Sequence, residues 1–466
     1  MIRWKFLSGP PPVALILLLL ASSNAAASVE PLTPHRAVEL ALSNHPALEV
    51  ADYAVSGAEA ERNVARSGYR PRVDLTNDFA RSTNPTYVFA SKLGQERFSV
   101  EDFNPETLNN PDPFTNSQWR IALRQSIWNG GSDQQRSKAS KHGIEAAEAG
   151  RTRVRNQVAF GALRGFWDAV VADEMLAVTR RAELAAEANF DLVDEQLQAG
   201  LAVPSDRMSA EVRLADVRAQ RIRAEQGQRV ARAALRRSLG VGDDREFLLE
   251  PPQVRPGEPD GELEQEVVAA LSGRSDLKAL EAREAQAAAG SRVADSAHWP
   301  RLGFGAMYEA NDENLFGASG TNWTVGLSLR WTLYGGSEVG SRKAVANAQR
   351  SRLKAMQREL ADGIRLEVAS AWADYHSAAQ RLQVAESSLE LAGEALRIVR
   401  ERYAEGMAVI VELLGAEAAL TQAEGNRVQA GRDLALAAAA LDLAIGTDVA
   451  SATLDTTAQE QKDGTP

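Results

Sequence analysis

Cysteine is absent from the 466-residue chain, which excludes a disulfide framework and any thiolate metal site. Bases are in deficit: 52 Lys and Arg stand against 63 Asp and Glu, for a net charge of −11. That balance argues against nucleic acid, which selects a clustered basic face. Histidine occurs five times, at His35, His45, His142, His298 and His376, and never in a ligand spacing such as His-Glu-x-x-His. Phosphate loops and nucleophile elbows are missing. Gly303-Phe304-Gly305 begins like a dinucleotide loop, but it lies inside an alternating stretch and lacks the third glycine. The sequence therefore offers no catalytic residue, no cofactor site and no metal site, and an enzyme is not expected. Long apolar runs are also lacking. The one apolar core, Val13 to Leu20, follows Arg3 and Lys5 and leads into Ala25-Ala26-Ala27. It is far shorter than the ~20 residues of a spanning helix and reads as a secretory signal peptide, residues 1–27, cleaved after Ala27. No cysteine follows that could carry a lipid. The expectation is an exported protein with no membrane-spanning helix.

What the chain does contain is a duplication. Val193-Asp194-Glu195 aligns with Val399-Arg400-Glu401, Gly200-Leu201-Ala202-Val203 with Gly406-Met407-Ala408-Val409, and Gly240 with Gly446, all at an offset of 206 residues. Upstream, Ala41-Leu42-Ser43 aligns with Ala270-Leu271-Ser272, and Pro71 with Pro300, at an offset of 229. Ungapped agreement of this length marks a duplicated structural unit, and the change of offset places a longer insert in the first copy between Arg72 and Trp128. The organisation read from this is a first repeat over residues 28–240, a linker over 241–264 with Pro251-Pro252, a second repeat over 265–446, and a polar tail over 447–466.

Within each repeat the hydrophobic period changes. A helix is expected over 34–67, broken at Asn44-His45-Pro46 because proline disfavours helix in the residue before it. Period-two alternation then marks strands at 71–80 and 118–128, and at 300–309 and 323–334. Trp323, Val325, Leu327 and Leu329, for example, alternate with Thr324, Gly326, Ser328 and Arg330. Each is roughly 10 residues, enough to cross a membrane when tilted. Trp119, Trp128, Trp323 and Trp331 fall toward the strand ends, as in the aromatic girdle of a barrel. Residues 81–117, rich in Asn, Pro and Asp, read as an irregular exposed loop, and 310–322 as a shorter glycine-rich one.

After each strand pair a helical period takes over, giving long helical hairpins at 132–240 and 337–446. Val368, Ala371, Tyr375, Ala378, Leu382, Ala385, Leu389, Ala392, Leu396, Val399 and Tyr403 alternate in spacing between three and four, a sustained heptad seam. A continuous helix over 132–198 would extend on the order of 100 Å. Four strands cannot close a barrel, and open edges are not tolerated in lipid. Strands that enter a membrane therefore require several copies to share one barrel, which the hairpins then continue. The contrasting reading is a periplasmic coiled-coil scaffold or tether whose strands never meet lipid.

Over its mature length the chain resembles the TolC-like outer-membrane efflux protein family. The resemblance is carried by Leu42-Ser43-Asn44-His45-Pro46, by Ser126-Ile127-Trp128-Asn129-Gly130-Gly131 with Thr332-Leu333-Tyr334-Gly335-Gly336, and by the turns at Gly200 and Gly406. It implies a mainly α fold with a β-barrel part, built as a homotrimer with a 12-stranded barrel in outer-membrane lipid and a periplasmic α-helical tunnel. It also implies a periplasmic adaptor protein and an inner-membrane pump as partners, in tripartite efflux or type I secretion. The tips of the hairpins then become gate and docking site, with Gly200, Ser205 and Asp206 in the first and Tyr403, Gly406 and Glu412 in the second. Two positions depart from the family pattern: Ala408 stands where a basic residue is frequent, and Gly415 where a second acid would fall. As local structure, both glycines read as helix C-caps and Asp206 as an N-cap.

Overall fold

The computed structural model describes residues 30–254 and 262–448. The leader, the centre of the linker and most of the tail lie outside the described residues. The elements are β1 (Glu30–Leu32), α1 (Pro34–Asn44), α2 (Pro46–Ser67), β2 (Arg72–Ser82), α3 (Pro85–Gly94), α4 (Pro105–Asn109), β3 (Phe114–Trp128), α5 (Ser132–Gln198) and α6 (Pro204–Leu239). The second half follows with β4 (Phe247–Leu249), α7 (Leu263–Gly273), α8 (Ser275–Asp295), β5 (Arg301–Asp312), β6 (Gly320–Arg330), α9 (Glu338–Ala404) and α10 (Ile410–Ile445).

The connecting segments differ from the sequence reading. The stretch between β2 and β3 is not an irregular loop. It folds into α3, a 3-10 turn at Val100–Phe103 and α4, each started by a proline or a short capping side chain such as Asn84, whose Oδ1 accepts from Tyr87 N–H. The linker over 241–264 also holds regular structure, because β4 pairs in parallel with β1 and α7 begins at Leu263.

Each long hairpin joins a helix of 67 residues to one of 36. At 1.5 Å per residue these are roughly 100 Å and 54 Å long, so α6 and α10 line only about half of their partners. The other half is lined by the shorter helices: α2 and α8 pack on α5, and α8 packs on α9, while α10 also packs on α5. The result is one layer, ordered α2–α5–α8–α9 toward the sheet and α6–α5–α10–α9 toward the hairpin turns.

The principal core lies where the short helices hand over. Leu32, Val38 and Ala41 meet Leu163 and Phe166 of α5, Leu235 and Leu239 of α6 and Phe247 of β4. A counterpart in the second half joins Ala270 and Leu277 to Ile364, Val368 and Ala444. The duplication is visible in how these junctions close. His45 ends α1 in an extended conformation and its Nδ1 accepts from Ala47 N–H at 3.2 Å, capping α2. The matching residue of the second copy is Arg274, only 7% exposed. It donates to Glu367 (2.7 Å), to Asp276 (2.8 Å) and to the Ala444 carbonyl (3.0 Å). Gly240 and Gly446, both with positive φ, seat the ends of α6 and α10 against these junctions. A side chain at Gly240 would strike the backbone of Asn44 and His45, and one at Gly446 would strike Arg274.

Candidate functional site: a two-faced sheet and a paired helical tip

The four longer strands form one antiparallel sheet in the order β2-β3-β5-β6. Because side chains alternate along a strand, the register sorts them into two faces. One face carries the rungs Leu75–Ile121–Tyr308–Trp323 and Val73–Leu123–Ala306–Val325, followed by Phe304–Leu327 and Leu302–Leu329. These apolar side chains stand open: Trp323 is 74% exposed and Leu327 68%. The opposite face is polar and self-paired. Arg120 meets Glu309 at 2.6 Å and Arg124 meets Asp74 at 2.9 Å. Glycines at 303, 305 and 326 keep it thin. Both edge strands, β2 and β6, lack an outer neighbour among the described residues.

The tryptophans lie at two levels. Trp119 is five residues inside β3, which starts earlier than the alternation indicates. Its Nε1 donates to the Leu315 carbonyl at 2.7 Å, and its ring stacks on Phe316. Trp128 ends β3, and Trp331 lies just past the end of β6. They gather around residues 298 and 299: Trp128 meets Trp299 edge-on, and Trp331 donates to the His298 carbonyl at 3.1 Å. A β-bulge between Ser126 and Trp128 sets two residues against one and places Trp128 opposite Leu302 on the apolar face. The two levels are roughly 30 Å apart along the strand. A tilt of about 40° reduces this to ~23 Å, close to the apolar band of a membrane barrel. Trp299 and Phe316 escaped the sequence reading because both lie outside the alternating runs.

At the other end of the molecule the two hairpin turns are built alike. Gly200 and Gly406 sit at φ +73° and +74°. Leu201 N–H reaches Gln196 O at 2.8 Å while Gly200 N–H reaches Leu197 O at 3.0 Å, and Met407 and Gly406 repeat the pattern on Arg402 and Tyr403. This is the Schellman arrangement, in which a left-handed residue lets the last carbonyls of a helix be satisfied. Asp206 is not the N-cap of α6. Val203 is, without a side-chain hydrogen bond, and Asp206 stands in the first turn, as Glu412 does in α10. An acid there is favoured by the helix dipole.

Tyr403 of the second hairpin faces the first, within reach of the charge of Asp206, whereas Glu412 pairs within its own hairpin. Tyr403 Oη donates to Gln196 Oε1 at 3.1 Å, tying the second hairpin to the first. Burial, and then the nearby charge of Asp206, push the phenol above its usual range. Glu412 instead meets Arg402 at 3.7 Å within its own hairpin. Ser205 is exposed, and its carbonyl accepts from Ser209 Oγ. Val193, Leu396, Ile410, Leu413 and Leu414 form a small core just above the turns. Beside it Glu417, 8% exposed, is held by Asn189 (2.6 Å) and Arg400 (3.4 Å). Gln196, Asn189, Arg402 and Glu417 were not singled out by sequence, since a polar residue in a helical pattern gives no sign of which neighbouring helix it will face. Among the described residues no group of three His, Asp or Glu side chains is disposed to hold a metal.

Comparison with known proteins agrees with this architecture. The family model described as outer membrane efflux protein matches residues 37–241 and 267–447. Protein CyaE of Bordetella pertussis is 26% identical over 426 residues, covering 90% of this chain and 85% of that protein. Among solved structures, the outer membrane protein VceC of Vibrio cholerae superposes with a TM-score of 0.74 at 18% identity, over 89% of this chain and 96% of that one. The open state of the MtrE outer membrane channel of Neisseria gonorrhoeae gives 0.70 at 18% identity, over 89% of each chain.

Proposed function

Because the chain belongs to the outer membrane efflux protein family, we propose that three copies pool their sheets into a 12-stranded barrel in the outer membrane of a Gram-negative bacterium. In this reading the long helices continue the barrel as a periplasmic tunnel, and the assembly is a passive, gated export duct. The observation that carries it is the sheet. It has one open apolar face, one polar face laced with ion pairs, and two edges that are bare among the described residues. In lipid every backbone donor and acceptor must be satisfied, so the bare edges must meet other strands. Four strands per copy are too few to close alone. Three copies would close the ring and direct the Arg120–Glu309 face inward.

The turns at Gly200 and Gly406 then form the far periplasmic end, with Ser205, Asp206, Tyr403 and Glu412 as gate and docking residues. Leu201, Val203, Met407 and Val409 are exposed around them, an apolar rim that would seat a periplasmic adaptor joined to an inner-membrane pump. Tripartite efflux or type I secretion follows as the physiological setting. Purified protein in planar bilayers is expected to form cation-preferring channels. Asp206→Asn and Glu412→Gln should each lower that preference, because a carboxylate ring in a narrow pore favours cations. Unchanged selectivity in both variants would remove these residues from the gate. A detergent-free soluble monomer would establish the scaffold reading instead.

A further inference from the structure

The two strand-connecting segments at the outer end of the sheet fold onto opposite faces. The segment between β5 and β6 bends over the apolar face, where the Leu315 carbonyl accepts from Ser117 Oγ and Trp119 Nε1. The segment between β2 and β3 bends the other way. Gln95, which ends α3 and is 1% exposed, donates to the Thr115 carbonyl (2.9 Å) and to Asn116 Oδ1 (2.8 Å). Asn116 donates in turn to Asn311 Oδ1 at 3.1 Å. By register, Asn116, Asn311 and Gly320 all lie on the polar face. Gly94 packs on the Asn311 side chain, and a side chain at Gly320 would collide with the Gly94 carbonyl. Helix α3 thus lies across β3, β5 and β6 on the polar side. These amide bonds brace α3 against the strands, while Gln95 Oε1 is buried with no partner among the described residues.

We propose that residues 83–113 of each copy form a fixed second narrowing at the outer mouth of the duct, opposite the periplasmic tip. The inference rests on the barrel reading, which makes the polar face the lumen. Twelve strands ~4.8 Å apart and tilted ~40° enclose a ring on the order of 24 Å across between backbones. A helix with its side chains is about 10 Å thick, so three inward-folded copies of α3 leave little open section. The remainder of the segment is braced by the edge-on rings of Phe89, Phe98 and Phe103 and by the Lys92–Asp102 ion pair at 2.6 Å. Arg97 pairs with Glu313 at 2.6 Å. The segment's remaining charges, Glu96, Glu101, Glu106 and Asp112, are all acidic, so the narrowing carries negative charge. Cargo leaving the barrel would meet a limit on width and a bias against anions at the cell surface.

Single-channel recording tests this in the wild-type and Tyr403→Phe backgrounds, the second relaxing the tip so that it does not dominate the series resistance. Replacing residues 86–110 with a short Gly-Ser linker is expected to raise conductance at least twofold. Because the chain has no cysteine, Glu101→Cys can be modified from the outer side alone. A cationic thiol reagent is expected to lower both conductance and cation preference in that variant, with no effect on wild type. Either change supports the narrowing. Conducting channels that ignore the deletion and the modification alike would overturn it. A wild-type protein that carries no current would instead bring down the channel reading on which the inference stands.

Discussion

Asp442 stands one turn before the end of α10, where burial pushes its carboxyl up to about 6 from an ordinary 3.8. Proximity to Glu266 adds to the rise, and a hydrogen bond from Thr447 opposes it. The folded-state value lies above the unfolded one, so the ionised form is the disfavoured one. The penalty is absent below about pH 4, grows between pH 4 and 6, and is complete above. It amounts to at most about 3 kcal/mol. Asp442→Asn is therefore expected to be more stable than wild type at pH 7.5 and to lose the decline in stability between pH 4 and 6, as read from denaturant midpoints in detergent. Nothing in the local sequence announces this group. Its environment comes from α7 and from the chain beyond Gly446. His45 and Arg274 make the same point in reverse, because the duplication aligns them while the folded junctions use one as a cap and the other as a buried hub. Aligned sequence identifies the position, and packing decides the task.

At the scale of elements, the two periods carry most of the information. The heptad seam that includes Tyr375, Leu382 and Leu396 is the face α9 buries. It is legible because a helix that packs along its whole length must repeat its apolar residues at 3.5 to 3.6. The strands are legible for the same reason at period two. Their ends are not, because terminal rungs such as Ala80–Asn116 and Asn311–Gly320 belong to the network under α3, which replaces hydrophobic alternation with amides. The helices α3 and α4 were hidden because short caps and prolines in an Asn-rich stretch look like loop until a surface exists for them to lie on. The open face of the sheet yields a discriminating experiment. Val325→Lys would be nearly neutral on a water-facing hairpin. Near the middle of a lipid-facing band it should cost on the order of 2–4 kcal/mol, seen as a loss of heat-modifiable, membrane-inserted oligomer at normal expression.

For the whole molecule, one contact that joins the two repeats near the turns is the hydrogen bond from Tyr403 to Gln196. Tyr403→Phe removes the hydrogen bond to Gln196 while keeping the ring in its core. The loss should be about 1 kcal/mol and should appear as higher open probability in bilayers with little change in thermal stability; an unaltered open probability would assign Tyr403 to packing alone. Gly200 and Gly406 were legible as turns because only a left-handed residue ends a helix in this manner. Asp206 was misread as a cap because its distance from the true start at Val203 is set by the turn, not by residue type. By itself the sequence determined the duplication, the alternation of strand and helix periods and the length of the struts, since each is a property of neighbours along the chain. Tertiary structure alone decided which faces of α5 take α8 and which take α10, that Glu412 turns to Arg402 while Tyr403 turns to the other hairpin, and that α3 folds onto the polar face. Those outcomes depend on packing between separate elements, most of them far apart along the chain, and no local period encodes that.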